Sequence, residues 1–195
     1  MNKIPLIKLS LFLFLLAASC QSGATTGKSL SIVSPVVSSV DLTISSLGYV
    51  LDVPDSEYSG VSLRYEVESG ASSFGAVFTP EAEYSFKDYF WIATGEQVRL
   101  TSPEFGLFGR KYFDNVFIEG TAMLGTGTKF NTSGSEASDM YSYARMAAGV
   151  RADFGDQFFG DISIGYRFDI LPMGDESSEI EVSGYDVFLG VGYNL

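Results

Sequence analysis

The side chains of this sequence that could do chemistry are carboxylates, hydroxyls and a small set of arginines and lysines. Asp and Glu number 24 against 12 Lys and Arg, and His is absent. Without His, the Ser-His-Asp and Cys-His arrangements of nucleophilic catalysis and all His-dependent metal sites are excluded. Paired carboxylates or a Ser/Lys pair are chemically possible, but no motif supports either. We therefore predict a protein that is not an enzyme, with no catalytic residue, metal site or cofactor.

Net charge, Cys content and hydropathy limit which partners the protein can bind and how its side chains must be arranged. The formal net charge is −12 at pH 7, which argues against a nucleic-acid partner because such binders carry a basic patch. A single Cys excludes an intrachain disulfide. The mean hydropathy is nevertheless positive, at +0.17. A chain this acidic and this apolar must separate its two kinds of side chain in space.

The N-terminal segment has the layout of a secretory signal. Residues 1–19 combine Lys3 and Lys8, an apolar run and a small-residue cleavage region. The run is well below the about 20 residues that a membrane-spanning helix needs. The ending AASC also resembles a bacterial lipobox, which predicts a lipidated Cys20 followed by a flexible tether over 20–37. The alternative is ordinary cleavage nearby, with Cys20 incidental.

The remainder of the chain, 38–195, alternates with period two, which predicts an all-β domain. In 161–170, Ile162, Ile164 and Tyr166 share one face, whereas Asp161 and Arg167 share the other. Eight strands follow in hairpins with three short turns. The predicted strands cover 40–44, 61–67, 74–86, 105–113, 116–128, 144–154, 160–170 and 185–195. Four longer polar loops are expected at about 51–57, 87–97, 131–141 and 172–182.

The charges of these strands fall almost entirely on one face. When each strand is given one register, the only charged residue on the apolar face is Lys111, which lies close to a turn. This pattern predicts an eight-stranded antiparallel up-and-down transmembrane β-barrel with its apolar face toward lipid. An ionic network is then expected to fill the lumen, made of Arg64, Glu66, Glu81, Glu83, Arg110, Glu119, Arg145, Arg151, Asp161, Arg167 and Asp169. The same register turns further charges inward, namely Asp41, Glu68, Glu104, Lys129, Asp153 and Asp186.

Two observations favour the apolar face as the one that meets lipid, although a soluble barrel with its faces exchanged would show the same alternation. The charged face is rich in Gly, including Gly125, Gly165 and Gly192, as a crowded lumen requires. Aromatic residues recur at strand ends, as membrane interfaces favour. Pro80 and Pro103 do not fit a regular closed sheet, and we interpret them as bulges or strand ends.

The chain resembles the small eight-stranded outer-membrane barrels of the OmpA/OmpX type over about 38–195. The most specific part is the last strand, YDVFLGVGYNL. The resemblance implies that the outer-membrane assembly machinery reads alternate residues there, namely Val187, Leu189, Val191, Tyr193 and Leu195. It also implies contact with outer-membrane lipid and lipopolysaccharide. Barrel enzymes of this membrane use an essential His, so their mechanisms do not transfer to this chain.

We therefore expect a non-enzymatic barrel in the bacterial outer membrane with a structural or surface-interaction role. Two alternatives remain open. One is a soluble, lipocalin-like barrel lipoprotein that binds an apolar ligand, and the other is a narrow pore. The inward charges could also form a proton or ion path, or a carboxylate pair for acid–base chemistry. A salt-bridged structural plug is the favoured interpretation of these charges.

Overall fold

The computed structural model describes the backbone of residues 27–46, 49–87, 97–130, 136–170 and 178–195. Side chains are described over 27–41, 56–85, 101–126, 140–170 and 181–195. The described backbone forms β1 (Lys28–Ser46), β2 (Tyr49–Ser59), β3 (Ser62–Ser69), β4 (Ser72–Lys87), β5 (Gln97–Phe113), β6 (Val116–Phe130), β7 (Glu136–Phe154), β8 (Phe158–Asp169) and β9 (Ser178–Asn194). Among these residues, no helix is long and apolar enough to cross a membrane.

The strands form one antiparallel sheet that closes into a ring. From β3 to β9 each strand pairs with its neighbour along the chain, and β1 pairs with β2, β3 and β9. The segments β2 and β3 share one place in the ring, because both pair with β1 on one side and with β4 on the other. The ring therefore has eight positions. The predicted all-β class and eight-stranded antiparallel barrel are confirmed.

Three tight turns join the hairpins at one end of the barrel, which we call the turn side. Gly70, Asp114 and Gly155 have φ values of 60°, 57° and 71° there. Such left-handed conformations are what short hairpin turns require, and they suit Gly and Asp. The short turns predicted from the sequence are thus present. The opposite end is the loop side.

The barrel is inverted relative to a soluble protein. On β8, Ile162, Ile164 and Tyr166 are 45%, 61% and 53% exposed, whereas Asp161 and Arg167 are 4% and 0% exposed. The structure therefore places charges inside and apolar side chains outside. This is the arrangement that a lipid-facing barrel needs, and it is opposite to that of the soluble lipocalin-like alternative.

The outer apolar side chains form a belt around the barrel. On β5 the belt runs from Phe105 to Phe113, both more than half exposed. At about 3.3 Å per residue this is about 26 Å along the strand. A strand tilt of about 40° reduces it to about 20 Å of height. The height is comparable to the apolar band of about 25 Å in outer-membrane barrels.

A line of irregularities crosses four neighbouring positions of the ring, and we call it the seam. The register shifts on β1 between Pro35 and Val37, and residues 60–61 separate β2 from β3. On β4 the register shifts between Thr79 and Ala82, so residues 80–81 lie opposite the single residue 103 of β5. The pairings align these breaks side by side. The interpretation of Pro80 as a bulge is confirmed, and Pro103 lies opposite it.

The bulges correct the predicted register on two strands. An extra residue reverses which side chains point inward, because side-chain direction alternates along a strand. On β1, Val40 is buried and Asp41 is exposed, the reverse of the prediction. On β4, Ala82 and Tyr84 are buried, so Glu81 is exposed and Glu83 is only half-buried.

Several predicted boundaries also change. The first strand begins at Lys28, so the latter part of the predicted 20–37 tether belongs to β1 rather than to a linker. The alternation of this first part of β1 is hard to recognise in the sequence, because the segment is rich in Ser and is interrupted by the bulge at Pro35. The predicted loop at 51–57 lies within β2, and β7 and β9 start inside the loops predicted at 131–141 and 172–182. The signal segment 1–19 and Cys20 lie outside the described residues.

Candidate functional site

The lumen is the part of the molecule where polar chemistry concentrates. Among the described residues, four arginines and five carboxylates are buried. They are Arg64, Arg110, Arg145, Arg167, Glu66, Glu104, Glu119, Asp161 and Asp186. An eight-stranded barrel has just enough interior for side chains to fill it. The question is how these charges are satisfied away from water.

Glu119 on β6 is the centre of the ionic layer. Arg64 donates to it at 2.8 Å and 3.3 Å, Arg110 at 2.6 Å and Arg145 at 3.2 Å. The Thr121 hydroxyl adds a fourth donor at 2.9 Å. These donors come from strands β3, β5, β6 and β7. One carboxylate is thus bonded to side chains from strands on different sides of the lumen.

The arginines extend the layer to further acids. Arg110 also donates to Asp161 at 3.0 Å and to Glu66 at 3.5 Å. Arg145 and Arg167 each donate to Asp186 at 2.7 Å, one to each carboxylate oxygen. We use the name ionic layer for the connected set Arg64, Glu66, Arg110, Glu119, Arg145, Asp161, Arg167 and Asp186.

Aromatic rings pack against the same guanidinium groups. Arg110 lies 4.3 Å from the ring centroid of Phe117, and Arg145 lies 4.6 Å from that of Phe188. Rings at this distance attract cations through their quadrupole and exclude water at the same time. The layer is therefore both paired and packed.

Inward glycines create the space for these large side chains. A Cβ added at Gly165 would come within 2.7 Å of the Arg145 guanidinium. At Gly192 it would meet the Phe159 ring at 2.1 Å, and at Gly125 the Tyr141 ring at 2.3 Å. The Gly-rich charged face that the sequence predicted to be crowded is crowded for this reason.

Toward the loop side, one carboxylate is bound by four phenols. Glu104 accepts hydrogen bonds from Tyr58 at 3.0 Å, Tyr84 at 2.7 Å, Tyr141 at 2.7 Å and Tyr143 at 2.9 Å. All five side chains are at most 5% exposed. We call this group the tyrosine cluster. It brings β2, β4 and β7 to a single residue of β5, next to the seam.

Arg167 joins the tyrosine cluster to the ionic layer. Its Nη1 donates to the Tyr84 hydroxyl at 3.2 Å, while its Nε is bonded to Asp186. Its guanidinium also stacks 3.7 Å from the centroid of the Tyr58 ring. The two groups thus form one continuous polar filling along the barrel axis.

The turn-side mouth has a separate group of polar side chains. Arg151 donates to Glu68 at 2.7 Å, to Asn194 at 2.9 Å and to Asp153 at 3.3 Å. Its guanidinium lies 3.7 Å from the Phe159 ring centroid. Arg151 and its three hydrogen-bond partners border a shallow cleft of about 340 Å³. No group of metal-binding residues is found in the described part of the chain.

Most of the predicted lumen network is brought together, with defined exceptions. Arg64, Glu66, Arg110, Glu119, Arg145, Asp161 and Arg167 belong to the ionic layer. Arg151 lies at the mouth, and Asp169 is half-buried at the loop-side end of β8. Glu81 and Glu83 do not join the layer, because the bulge at 80–81 turns Ala82 and Tyr84 inward instead. Asp153, also assigned inward, is exposed beside the turn.

The tyrosine cluster is the group that sequence reasoning missed. Tyr141 and Tyr143 have the same parity as Arg145, so extending the β7 register would have placed them inside. Tyr58 lay between the predicted loop at 51–57 and the predicted strand at 61–67, and the bulge at 80–81 turned Tyr84 inward, against the predicted register. Glu104 was assigned inward, but its partners were not recognised.

Comparisons with known proteins give one kind of match. No family model matches the chain, and no curated protein matches its sequence. Three solved structures illustrate the structural matches. The outer-membrane protein AlkL, solved in DMPC bilayers, is 15% identical over 90% of this chain and 93% of its own, with a TM-score of 0.54. Neisserial surface protein A is 11% identical over 88% and 100%, with a TM-score of 0.51. The N-terminal barrel domain of Pseudomonas aeruginosa OprF is 15% identical over 88% and 100%, with a TM-score of 0.47.

The two matches with TM-scores above 0.5 show the fold. The chain has the fold of the small eight-stranded outer-membrane β-barrels, as the sequence resemblance implied. The exposed apolar belt and the buried ionic layer are the features that this class needs in lipid. Fold and belt together support the outer-membrane localisation that we predicted.

Proposed function

We propose that this protein is a closed, non-enzymatic outer-membrane barrel that acts as a rigid membrane scaffold for its surface segments. The observation that carries the proposal is the continuous filling of the lumen. The ionic layer and the tyrosine cluster are joined through Arg167, and their two central carboxylates, Glu119 and Glu104, are each bonded to several donors. Side chains held in this way leave little freedom for an open path.

The network also argues for a structural rather than a catalytic role. A general acid or base must reach a substrate, and the Glu119 and Glu104 side chains are buried among their own partners. The proposal therefore assigns these charges to specifying and holding the barrel, as the sequence interpretation favoured. The proton or ion path and the carboxylate pair are the competing interpretations.

The test is a conductance measurement on the full-length protein. After refolding, heat-modifiable migration on a gel reports the closed barrel, and a known porin serves as the positive control in planar bilayers. We expect no unitary current steps from this protein. Reproducible steps whose conductance changes in Glu104→Gln would replace the closed scaffold with the narrow-pore alternative.

We further propose that Cys20 carries a lipid at the turn side. The structure supports the geometry, because β1 begins at Lys28 beside the end of β9, where the Leu195 amide donates to the Lys28 carbonyl at 2.7 Å. Eight residues of chain reach at most about 28 Å at about 3.5 Å per residue. A lipid on Cys20 would thus enter the leaflet nearest the turns. Metabolic labelling with a palmitate analogue tests this: label should enter the wild type but not Cys20→Ala, and equal labelling would refute it.

The partner proposals are outer-membrane lipid, lipopolysaccharide and the barrel assembly machinery. Leu189 and Val191 of β9 and Leu195, which follows its end, are exposed on the outward parity, as a strand recognised from the lipid side should be. The test compares Leu189→Asn with Phe188→Leu, a substitution on the inward face, in assembly assays with the purified machinery. Slower assembly of the first variant alone is expected. Equal rates would count against recognition of this face.

A further inference from the structure

The ladder between β5 and β6 is interrupted at the end of the seam. Thr101 pairs with Thr128, and Glu104 pairs with Gly125, but residues 102–103 have no ladder partner on β6. On the other side of β5, the bulge at 80–81 of β4 lies opposite Pro103. The wall of the barrel is therefore irregular at one place on both sides of the same strand.

The interruption is built so that Pro103 leaves no polar group unpaired. Proline has no amide N–H to donate. Its carbonyl accepts a hydrogen bond from the Ser102 hydroxyl at 3.0 Å. Backbone groups that face hydrocarbon must be satisfied within the protein. A break arranged in this way is compatible with an apolar environment.

A groove of about 270 Å³ opens on the outer surface at this place. Its outer walls are Phe78, Pro103, Phe105, Leu124, Thr126 and Met140. All six side chains are exposed on the outward face of the barrel. Glu104 and Gly125, which are buried, also line it, and apart from Thr126 the exposed walls are apolar.

The position of the groove selects its occupant. Phe105 and Leu124 belong to the apolar belt, which faces the hydrocarbon of the membrane. Glu81, exposed at the bulge beside Pro103, marks the polar edge above it. The groove therefore starts at the edge of the belt and opens onto acyl chains. The volume of the groove suits an acyl chain and is too small for a folded protein partner.

We propose that this lipid-facing groove is a binding site for a single acyl chain of a membrane lipid, held against residues 102–103 of β5. The chain covers the part of the wall where these residues have no ladder partner on β6. The proposal requires the barrel to lie in a membrane, but it does not depend on the lumen being closed. Conductance and lipid retention therefore test separate statements.

The experiment measures lipid retained by the full-length protein. The barrel is reconstituted in vesicles of phosphatidylethanolamine and phosphatidylglycerol, extracted into detergent and exchanged repeatedly before native mass spectrometry. Wild type is expected to keep one phospholipid. Thr126→Phe, which fills the groove, should lower the lipid-bound fraction at least ten-fold. Ile164→Phe, a control on the outward face of β8, should keep it.

A second measurement places the retained lipid. The Met140 methyl group lines the groove, whereas the Met123 methyl points into the lumen and is 5% exposed. Cross-relaxation from acyl-chain methylenes should reach Met140 and not Met123. If Thr126→Phe does not fold, Leu124→Ala removes a wall instead and should also reduce retention. Loss of all lipid from wild type, or equal retention in the groove variants and the control, overturns the proposal.

Discussion

The two halves of the lumen satisfy buried carboxylates in different ways. On the turn side, Glu119 is surrounded by three arginines, and charge is balanced by charge. On the loop side, Glu104 is held by four neutral phenols. Removing Glu119 leaves its three arginines buried without their common partner. Removing one phenol leaves three others bonded to Glu104. The two halves should therefore differ in how they respond to mutation.

The barrel wall differs between the halves in the same sense. Turn-side ladders such as β5 with β6 between Phe113 and Glu104 are continuous. The seam lies where the tyrosine cluster begins, so the cluster holds strands together where their backbones are irregular. The ionic layer fills a regular wall, and the tyrosine cluster bridges an interrupted one.

The largest expected effect is at the centre of the ionic layer. Glu119→Ala leaves three buried arginines without their common acceptor, and removing one partner of a buried ion pair costs about 3–5 kcal/mol. Equilibrium urea unfolding in lipid vesicles should show this loss. Glu119→Gln, which keeps an acceptor oxygen, should lose less. A variant as stable as wild type would show that the arginines do not depend on Glu119.

The second largest effect is expected from overpacking of the lumen around the ionic layer. Gly165→Ala places a methyl group within 2.7 Å of the Arg145 guanidinium. Overpacking of this kind costs about 1–3 kcal/mol. Gly160→Ala on the same strand is the control, because its nearest neighbour is the exposed Phe154 ring at 3.1 Å. Equal urea midpoints for the two variants would contradict the difference.

A smaller effect is expected in the tyrosine cluster. Tyr141→Phe removes one of four donors to Glu104, which should cost about 0.5–1.5 kcal/mol. Amide exchange should accelerate in the loop-side parts of β4, β5 and β7 and remain unchanged on the turn side. Tyr185→Phe, at an exposed outward position, is the matched control. Uniform acceleration along the strands would mean that the two halves do not act separately.

The smallest effect tests the corrected register on β4. Glu81→Gln should change stability by less than about 0.5 kcal/mol, since Glu81 is exposed. The register predicted from sequence, which placed Glu81 in the lumen network, requires a loss comparable to that of Glu119→Gln. Urea unfolding of the two variants side by side separates these outcomes.

The sequence was most informative where strands are regular. On β8 and β9 the period of two is unbroken, and Asp161, Arg167 and Asp186 were assigned to the correct face. On β1 and β4 a bulge adds one residue, which has no signature in the alternation apart from a nearby proline. Glu81 and Glu83 were misplaced for that reason, and Asp41 lies at a separate register shift between Val40 and Leu42 in the pairing of β1 with β2.

The candidate site followed the same division. Ion-pair partners could be anticipated as a set, because all inward charges of a narrow barrel must meet. The individual pairs could not be anticipated, because Glu119 meets Arg64 and Arg145 across the lumen of the closed barrel. The spacing of these residues along the chain does not indicate those contacts. The phenols around Glu104 were harder still, because Tyr is equally common at membrane interfaces and in a lumen.

The ladder that closes the ring has a consequence for how the protein is made. It joins β1 to β9 from Ser29 with Asn194 to Ser46 with Ser178, so the first strand has no final neighbour until the last one exists. Contacts this distant along the chain form slowly, and an open sheet exposes two unpaired edges that hydrocarbon does not tolerate. The barrel is therefore complete only when the last strand pairs with the first, and pairing of β1 with β9 is the step that leaves no edge of the ring unpaired.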